Sequence, residues 1–182
     1  MKHLKAAVSG ILHRLAWRGG LSPREPLNMP RLPAPVPASS HSGPSPHLSW
    51  KELACHDGSP YPLMWRTHRA VVLGRAFEAV RVAVGGPLTI ASAYRTESHN
   101  RAVGGARASQ HLSGRALDLQ RPVGVTMEQF IEMVRPVALH PDTPIHGLGI
   151  YPTFIHIDIR NREDGRVTVW SGRRAWAEMK ET

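Results

Sequence analysis

The chain has only one thiol, Cys55, among its 182 residues. No intramolecular disulfide can form and cysteine-rich zinc ligation is excluded, so any metal must be held by histidine and carboxylate. Acidic residues are scarce as well. Fourteen Asp and Glu stand against 23 Lys and Arg, a net charge of +9 with a pI near 10.8. Such a balance points to an anionic partner: nucleic acid, an acidic membrane surface or a bacterial wall polymer. An interleaved aromatic and basic motif is missing, so nucleic acid is not expected. Also missing are internal repeats and any apolar run long enough to cross a bilayer.

Charge and proline are unevenly spread. Residues 1–47 carry Lys2, Lys5, Arg14, Arg18, Arg24 and Arg31 against Glu25 alone, and hold eight of the sixteen prolines. The stretch PREPLNMPRLPAPVPASSHSGPSP cannot form a packed helix or a central strand, and reads as an extended, disordered linker. Ahead of it, the apolar run Ala6 to Leu12 follows lysines but is cut short by His13 and Arg14, with no small-residue cleavage site after it. It gives no clear signal peptide, and a basic amphipathic helix fits it equally. The expected organisation is a basic, Pro-rich segment over 1–46 and one domain over 47–182, a length suited to a single core.

Within that domain the periodicities change from segment to segment. Ala70, Leu73, Phe77, Val80 and Val84 predict a core helix over 67–84, stopped by Gly85, Gly86 and Pro87. LTIASAYR (88–95) reads as a strand. Thr126 and Gln129 form a capping box for a second helix with Phe130 and Val134 on one face, which Pro136 should end or kink. FIHIDI (154–159) alternates, and the turn Asp164-Gly165 predicts a hairpin with VTVW (167–170). The order helix, strand, loop, strand, helix, hairpin predicts an α+β domain with a small, largely antiparallel sheet flanked by helices.

A side-chain period of two then sorts the polar residues. Ile155, Ile157 and Ile159 take one face, leaving Phe154, His156 and Asp158 on the other. In RALDLQ, Leu117 and Leu119 turn to the core, so Asp118 faces away. In LTIASAYR, Leu88 and Ile90 mark the core side, so Thr89, Ala91, Ala93 and Arg95 line the opposite face. Three strands would present Arg95, Asp118, His156 and Asp158 together, with His111 delivered by a loop that Gly114 lets turn sharply. Two histidines and an aspartate with an open fourth position suit catalytic zinc. Simpler readings exist for each residue: His111 as a surface or capping histidine, Asp118 bonding backbone amides, Asp158 in an ion pair with Arg160 or Arg162. His99 and Asn100 follow Thr96 in a capped turn, Cys55 reads as a buried small hydrophobe, and Trp65, Trp170 and Trp176 as packing residues.

SAYRTESHNRAVGGARASQHLSGRALDL followed by GLGIYPTFIHID resembles the zinc D-Ala-D-Ala carboxypeptidase and murein endopeptidase family, whose relatives include phage endolysins and the catalytically silent hedgehog domain. The resemblance runs from about Leu48 to Trp170. It implies zinc held by His111, Asp118 and His156, with Arg95 holding a substrate carboxylate or carbonyl and Ser109 as a further substrate-binding candidate. It also implies hydrolysis of peptide bonds in peptidoglycan stem peptides or cross-links, by a monomer acting on the bacterial cell wall. Several members carry a histidine or glutamate shortly before the last ligand as general base, whereas Gly149 to Phe154 supply none. Asp158 is the candidate base, Tyr151 a candidate oxyanion stabiliser and His146 a third option. The alternative is a non-catalytic, zinc-containing wall-binding or phage structural protein of the same fold.

Overall fold

The computed structural model describes residues 42–162 and 164–171. Residues 1–41 of the expected basic segment over 1–46, and Trp176, lie outside them. Four α-helices, α1 (Trp50–Leu53), α2 (Arg69–Val84), α3 (Glu97–Ala102) and α4 (Met127–Ala138), accompany five strands. These are β1 (Ile90–Ser92), β2 (Ala116–Gln120), β3 (Gly147–Ile150), β4 (Phe154–Asp158) and β5 (Thr168–Ser171). The result is an α+β fold.

The helix stripes read from the sequence are the buried ones, except that Val84 at the end of α2 is only half-buried. Ala70, Leu73, Phe77 and Val80 of α2 and Phe130 and Val134 of α4 are buried, and the two helices pack on each other. Full burial of a side chain such as Phe77 or Phe130 contributes roughly 1.5–3 kcal/mol. Gly85 ends α2 at φ +75°, returning its N–H to the Arg81 and Val82 carbonyls, a left-handed position that glycine adopts without strain. Both halves of the Thr126/Gln129 capping box form at α4. Pro136 does not end that helix, which runs two residues further to Ala138. A second capping box, Ser49 with Glu52, starts α1. Just before it, His47 donates its backbone N–H to the buried Glu78 carboxylate and places its ring Nδ1 at 2.9 Å, satisfying an acid in the middle of α2.

The strands form one sheet in the order β1-β2-β4-β3-β5, antiparallel throughout except for the β3–β5 pair. The expected hairpin between β4 and the 167–170 stretch is therefore not made. Both edges of β4 are taken, by β2 and by β3, so β5 crosses over and adds to the far edge of β3 in parallel. The hairpin is instead β3–β4, closed by the Tyr151 N–H to the Phe154 carbonyl. β1 also differs from its expectation. It is three residues long and bulged, pairing Ile90 with Leu119 but Ser92 with Asp118. The extra residue breaks the alternation, so Ser92 comes opposite Asp118 on the polar face and Ala93 is buried.

One face of the sheet, with Leu117, Leu119, Leu148, Ile155 and Ile157, is buried core. The cross-strand pairs Asp118↔His156 and Ala116↔Asp158 put the polar set on the other.

Candidate metal centre

His111 sits in the 3₁₀ turn Gln110–Ser113, whose conformation is fixed from several sides. Ser109 Oγ accepts the His111 backbone N–H, and the His111 carbonyl accepts from the Arg95 and Gly114 amides. Gly114 leaves the turn at φ +61°. A Cβ there would stand 2.8 Å from Trp65 and 2.9 Å from Tyr61, whose hydroxyl donates to the Gly114 carbonyl at 2.7 Å. Glycine is thus required both for the turn and for the aromatic cluster of Tyr61, Trp65 and Tyr94 packed against it.

The other two residues come from paired strands, so their approach follows from register. His111 Nε2, Asp118 Oδ1 and His156 Nδ1 form a triangle with sides of 3.1, 3.2 and 2.8 Å, and all three residues are buried. Hydrogen bonding on the outer side of each ring sets what points inward. His111 Nδ1 meets the Ala93 carbonyl at 2.5 Å, an acceptor only, so the proton is there and Nε2 presents a lone pair. His156 Nε2 meets the Asp158 carboxylate at 3.2 Å, which leaves Nδ1 as the inward atom. Two nitrogen lone pairs and a carboxylate oxygen then converge without a donor among them. A cation resolves this. Tetrahedral zinc with bonds of about 2.0–2.1 Å needs ligand atoms roughly 3.3 Å apart, close to the observed triangle.

Burial and charge act on the three groups in different balances. Burial pushes the His111 imidazole below its ordinary range and outweighs the pull of Asp118. Burial pushes His156 the same way, but Asp118 and Asp158 on its two sides reverse the direction and raise it. Asp118 is held well below the usual carboxylate range: burial opposes ionisation, and the two imidazoles overcome it.

Asp158 lies on the polar face as expected but not toward the triangle. It is fully buried, and both oxygens are used. Oδ2 faces His156 Nε2 and accepts from Arg160 Nη2 at 2.5 Å, while Oδ1 accepts from the Arg160 amide and Nε at 3.1 and 2.8 Å. Burial raises this carboxyl, and Arg160 with His156 brings it well below its ordinary value. Room for it exists because β3 has glycine opposite: a Cβ on Gly147 would lie 2.2 Å from Asp158 Oδ2. Of the two simpler partners considered for Asp158, Arg160 is taken and Arg162 pairs with Asp164.

A cleft of about 510 Å³ opens over the triangle. Arg95 and Ser109 line it, together with the small residues of the 103–108 loop, Gln110, Tyr151, Phe154, Arg160 and Trp170. Arg95 spans Ser92 Oγ and Asp118 Oδ2, each at 2.8 Å, so the arginine reaches the site by way of the bulge rather than strand alternation. Tyr151 stacks on Phe154 and accepts from Trp170 Nε1 at 3.2 Å. His146 is elsewhere: its Nδ1 bonds the Arg160 carbonyl and it lines a different cleft, which corrects its candidacy as base. Sequence reasoning missed Arg160 as a site residue and took Trp170 for packing alone, yet the Trp170 ring centre is 5.3 Å from that of His156. Gly149 makes that position possible, since a Cβ there would be 2.7 Å from the indole. Alternate glycines in GLGI opposite FIHID were the available signal. Apart from Asp118, no carboxylate lines the cleft among the described residues.

A comparison with curated proteins finds no match. A family model does match, over residues 46–158, which takes in α1 and every residue of the triangle. That model is described as Peptidase M15, and the chain belongs to this family of zinc-dependent metallopeptidases.

Proposed function

We propose that the chain hydrolyses peptide bonds in peptidoglycan stem peptides or their cross-links, as a D,D-carboxypeptidase or endopeptidase acting on the bacterial cell wall. The observation that carries this reading is the buried, donor-free convergence of His111 Nε2, Asp118 Oδ1 and His156 Nδ1 beneath an open cleft in a Peptidase M15 chain. These three atoms would hold zinc, which supplies Lewis acidity and makes a nucleophile of water near neutral pH.

The remaining roles follow from the chain's own groups. Arg95 pairs with Asp118 Oδ2 and presents its guanidinium at the cleft, where a substrate carboxylate or carbonyl oxygen would meet it. Ser109 holds the His111 turn from the cleft's edge, a site for contact with the peptide backbone. The Tyr151 hydroxyl, having accepted from Trp170, retains its proton to donate to an oxyanion. For Asp158 the geometry favours positioning over proton transfer. Its carboxylate orients His156 through Nε2 and is itself fixed by Arg160, so it acts on the metal through the imidazole.

One observation favours a second reading. With Asp158 engaged behind His156 and no other carboxylate beyond Asp118 among the described lining residues, a non-catalytic zinc-containing wall-binding or phage structural protein has the same site. Purified peptidoglycan separates the two. Release of peptide fragments or terminal D-alanine, abolished by a chelator and restored by zinc, is the expected result; a zinc-loaded chain that binds sacculi without releasing either would overturn the peptidase reading.

A further inference from the structure

A second cleft, of about 560 Å³, lies where His68 and Arg69 begin α2, Arg115 precedes β2, His146 precedes β3 and Arg160 and Arg162 follow β4. Its described lining holds four guanidiniums and two imidazoles, and no carboxylate. Two of the guanidiniums are compensated from outside the lining, Arg160 by Asp158 and Arg162 by Asp164. Arg69 and Arg115 have no carboxylate partner among the described residues. Arg69 is nonetheless fixed in place, donating to the Ser113 carbonyl and lying 4.3 Å over the Trp65 ring. Burial, and after it the charge of Arg115, hold the Arg69 guanidinium below its ordinary range, so the two cations are near enough to repel.

A cleft that gathers two guanidiniums with no carboxylate partner among the described residues is stabilised by an anion of matching charge. A phosphoryl group carries about −1.5 to −2 at neutral pH on three strong acceptor oxygens. Its oxygens suit the planar forks of two arginines, whereas a single carboxylate would leave one charge unmatched. We propose that this cleft is a phosphoryl-binding site, with the ligand held between Arg69 and Arg115 and flanked by His68 and His146. The proposal does not rest on the peptidase reading, because none of the three metal-facing residues lines this cleft. Free phosphate and a phosphomonoester offer the same chemistry.

The test is calorimetric titration of the full-length, zinc-loaded chain with inorganic phosphate and, separately, with glycerol 3-phosphate, the arginine Nε–H resonances being followed by NMR. Saturable one-to-one binding of inorganic phosphate is expected, weakened at least about tenfold by Arg115→Gln and unchanged by Arg101→Gln, which removes the same charge from an exposed helix. The thermal midpoint of Arg115→Gln checks that the variant is folded. Tighter binding of the monoester assigns the site to a phosphomonoester, and equal or weaker binding assigns it to free phosphate; both support the site. Binding retained in folded Arg115→Gln, equal loss in Arg101→Gln, loss on chelation of zinc, or acetate binding as tightly as phosphate would each overturn it.

Discussion

Asp118 and Asp158 flank the same imidazole, are both buried, and are each bonded to an arginine, yet they occupy opposite situations. Asp118 meets His156 at Nδ1, the inward nitrogen, and shares that space with His111 Nε2. Asp158 meets Nε2, the outward nitrogen, and both its oxygens end on Arg160 and His156. The carboxylate across from the ring on β2 can thus bind an ion, while the one two residues beyond the ring on β4 can only aim a ligand. The difference lies in what stands opposite. Across from His156 on β2 is Asp118 itself, while Asp158 faces Ala116 on one side and Gly147 on the other.

The most severe way to break this comparison is to remove the ring the two acids share. His156→Ala should abolish stoichiometric zinc binding and all hydrolysis, as measured by metal analysis of the dialysed protein and by peptide release, because three protein ligands leave no redundancy. The asparagine variants sharpen it. Asp118→Asn is expected to match His156→Ala in zinc content, whereas Asp158→Asn should weaken zinc affinity only about ten- to a hundredfold and regain part of its activity in added zinc. Equal affinities for the two variants would erase the distinction. Retained zinc with a kcat lowered about a hundredfold or more in Asp158→Asn would instead return the proton-transfer role to that residue.

Gly147→Ala approaches Asp158 without touching its charge. The added methyl, 2.2 Å from Oδ2 by geometry, must displace the carboxylate, lowering stability by about 1–3 kcal/mol and zinc affinity with it. Thr126→Ala makes the matched control with the smallest effect. Loss of the α4 cap should cost about 1 kcal/mol in thermal unfolding while leaving zinc affinity at the wild-type value. If both variants lowered zinc affinity in proportion to stability, the site would be responding to global stability rather than to Asp158.

Much of this arrangement was legible in the sequence because it rests on period and local signals. Alternation in ALDL and FIHID commits Leu117, Leu119, Ile155 and Ile157 to the core, so Asp118 and His156 had to share the other face. The Thr126 cap and the glycine after α2 were readable for the same local reason. Failures occurred where the outcome depends on pairing across distance. β3 is half glycine and gives almost no strand signal, which hid the strand that takes the edge expected for β5. The β1 bulge is invisible to a period of two, and Arg95 reached the polar face for a reason alternation does not contain. Whether Asp158 points along the sheet or into the cleft depends on Arg160 and on the space above Gly147, neither of which its own strand encodes.

The two glycines of β3 also set a limit on how this cleft can diversify. Positions 147 and 149 form a bare panel, one hydrogen deep, with the Asp158 carboxylate lying across the first and the Trp170 indole across the second. No side chain can be introduced there to reshape the cleft without evicting one of those groups. Variation in what the cleft accepts must therefore come from the opposite quarter, at the exposed Val103, Ala106 and Ala108, where added bulk meets solvent instead of the groups that aim His156. A library confined to those three positions should yield altered preferences at little cost in folding, and the same effort spent on β3 should return mostly unfolded or metal-poor protein.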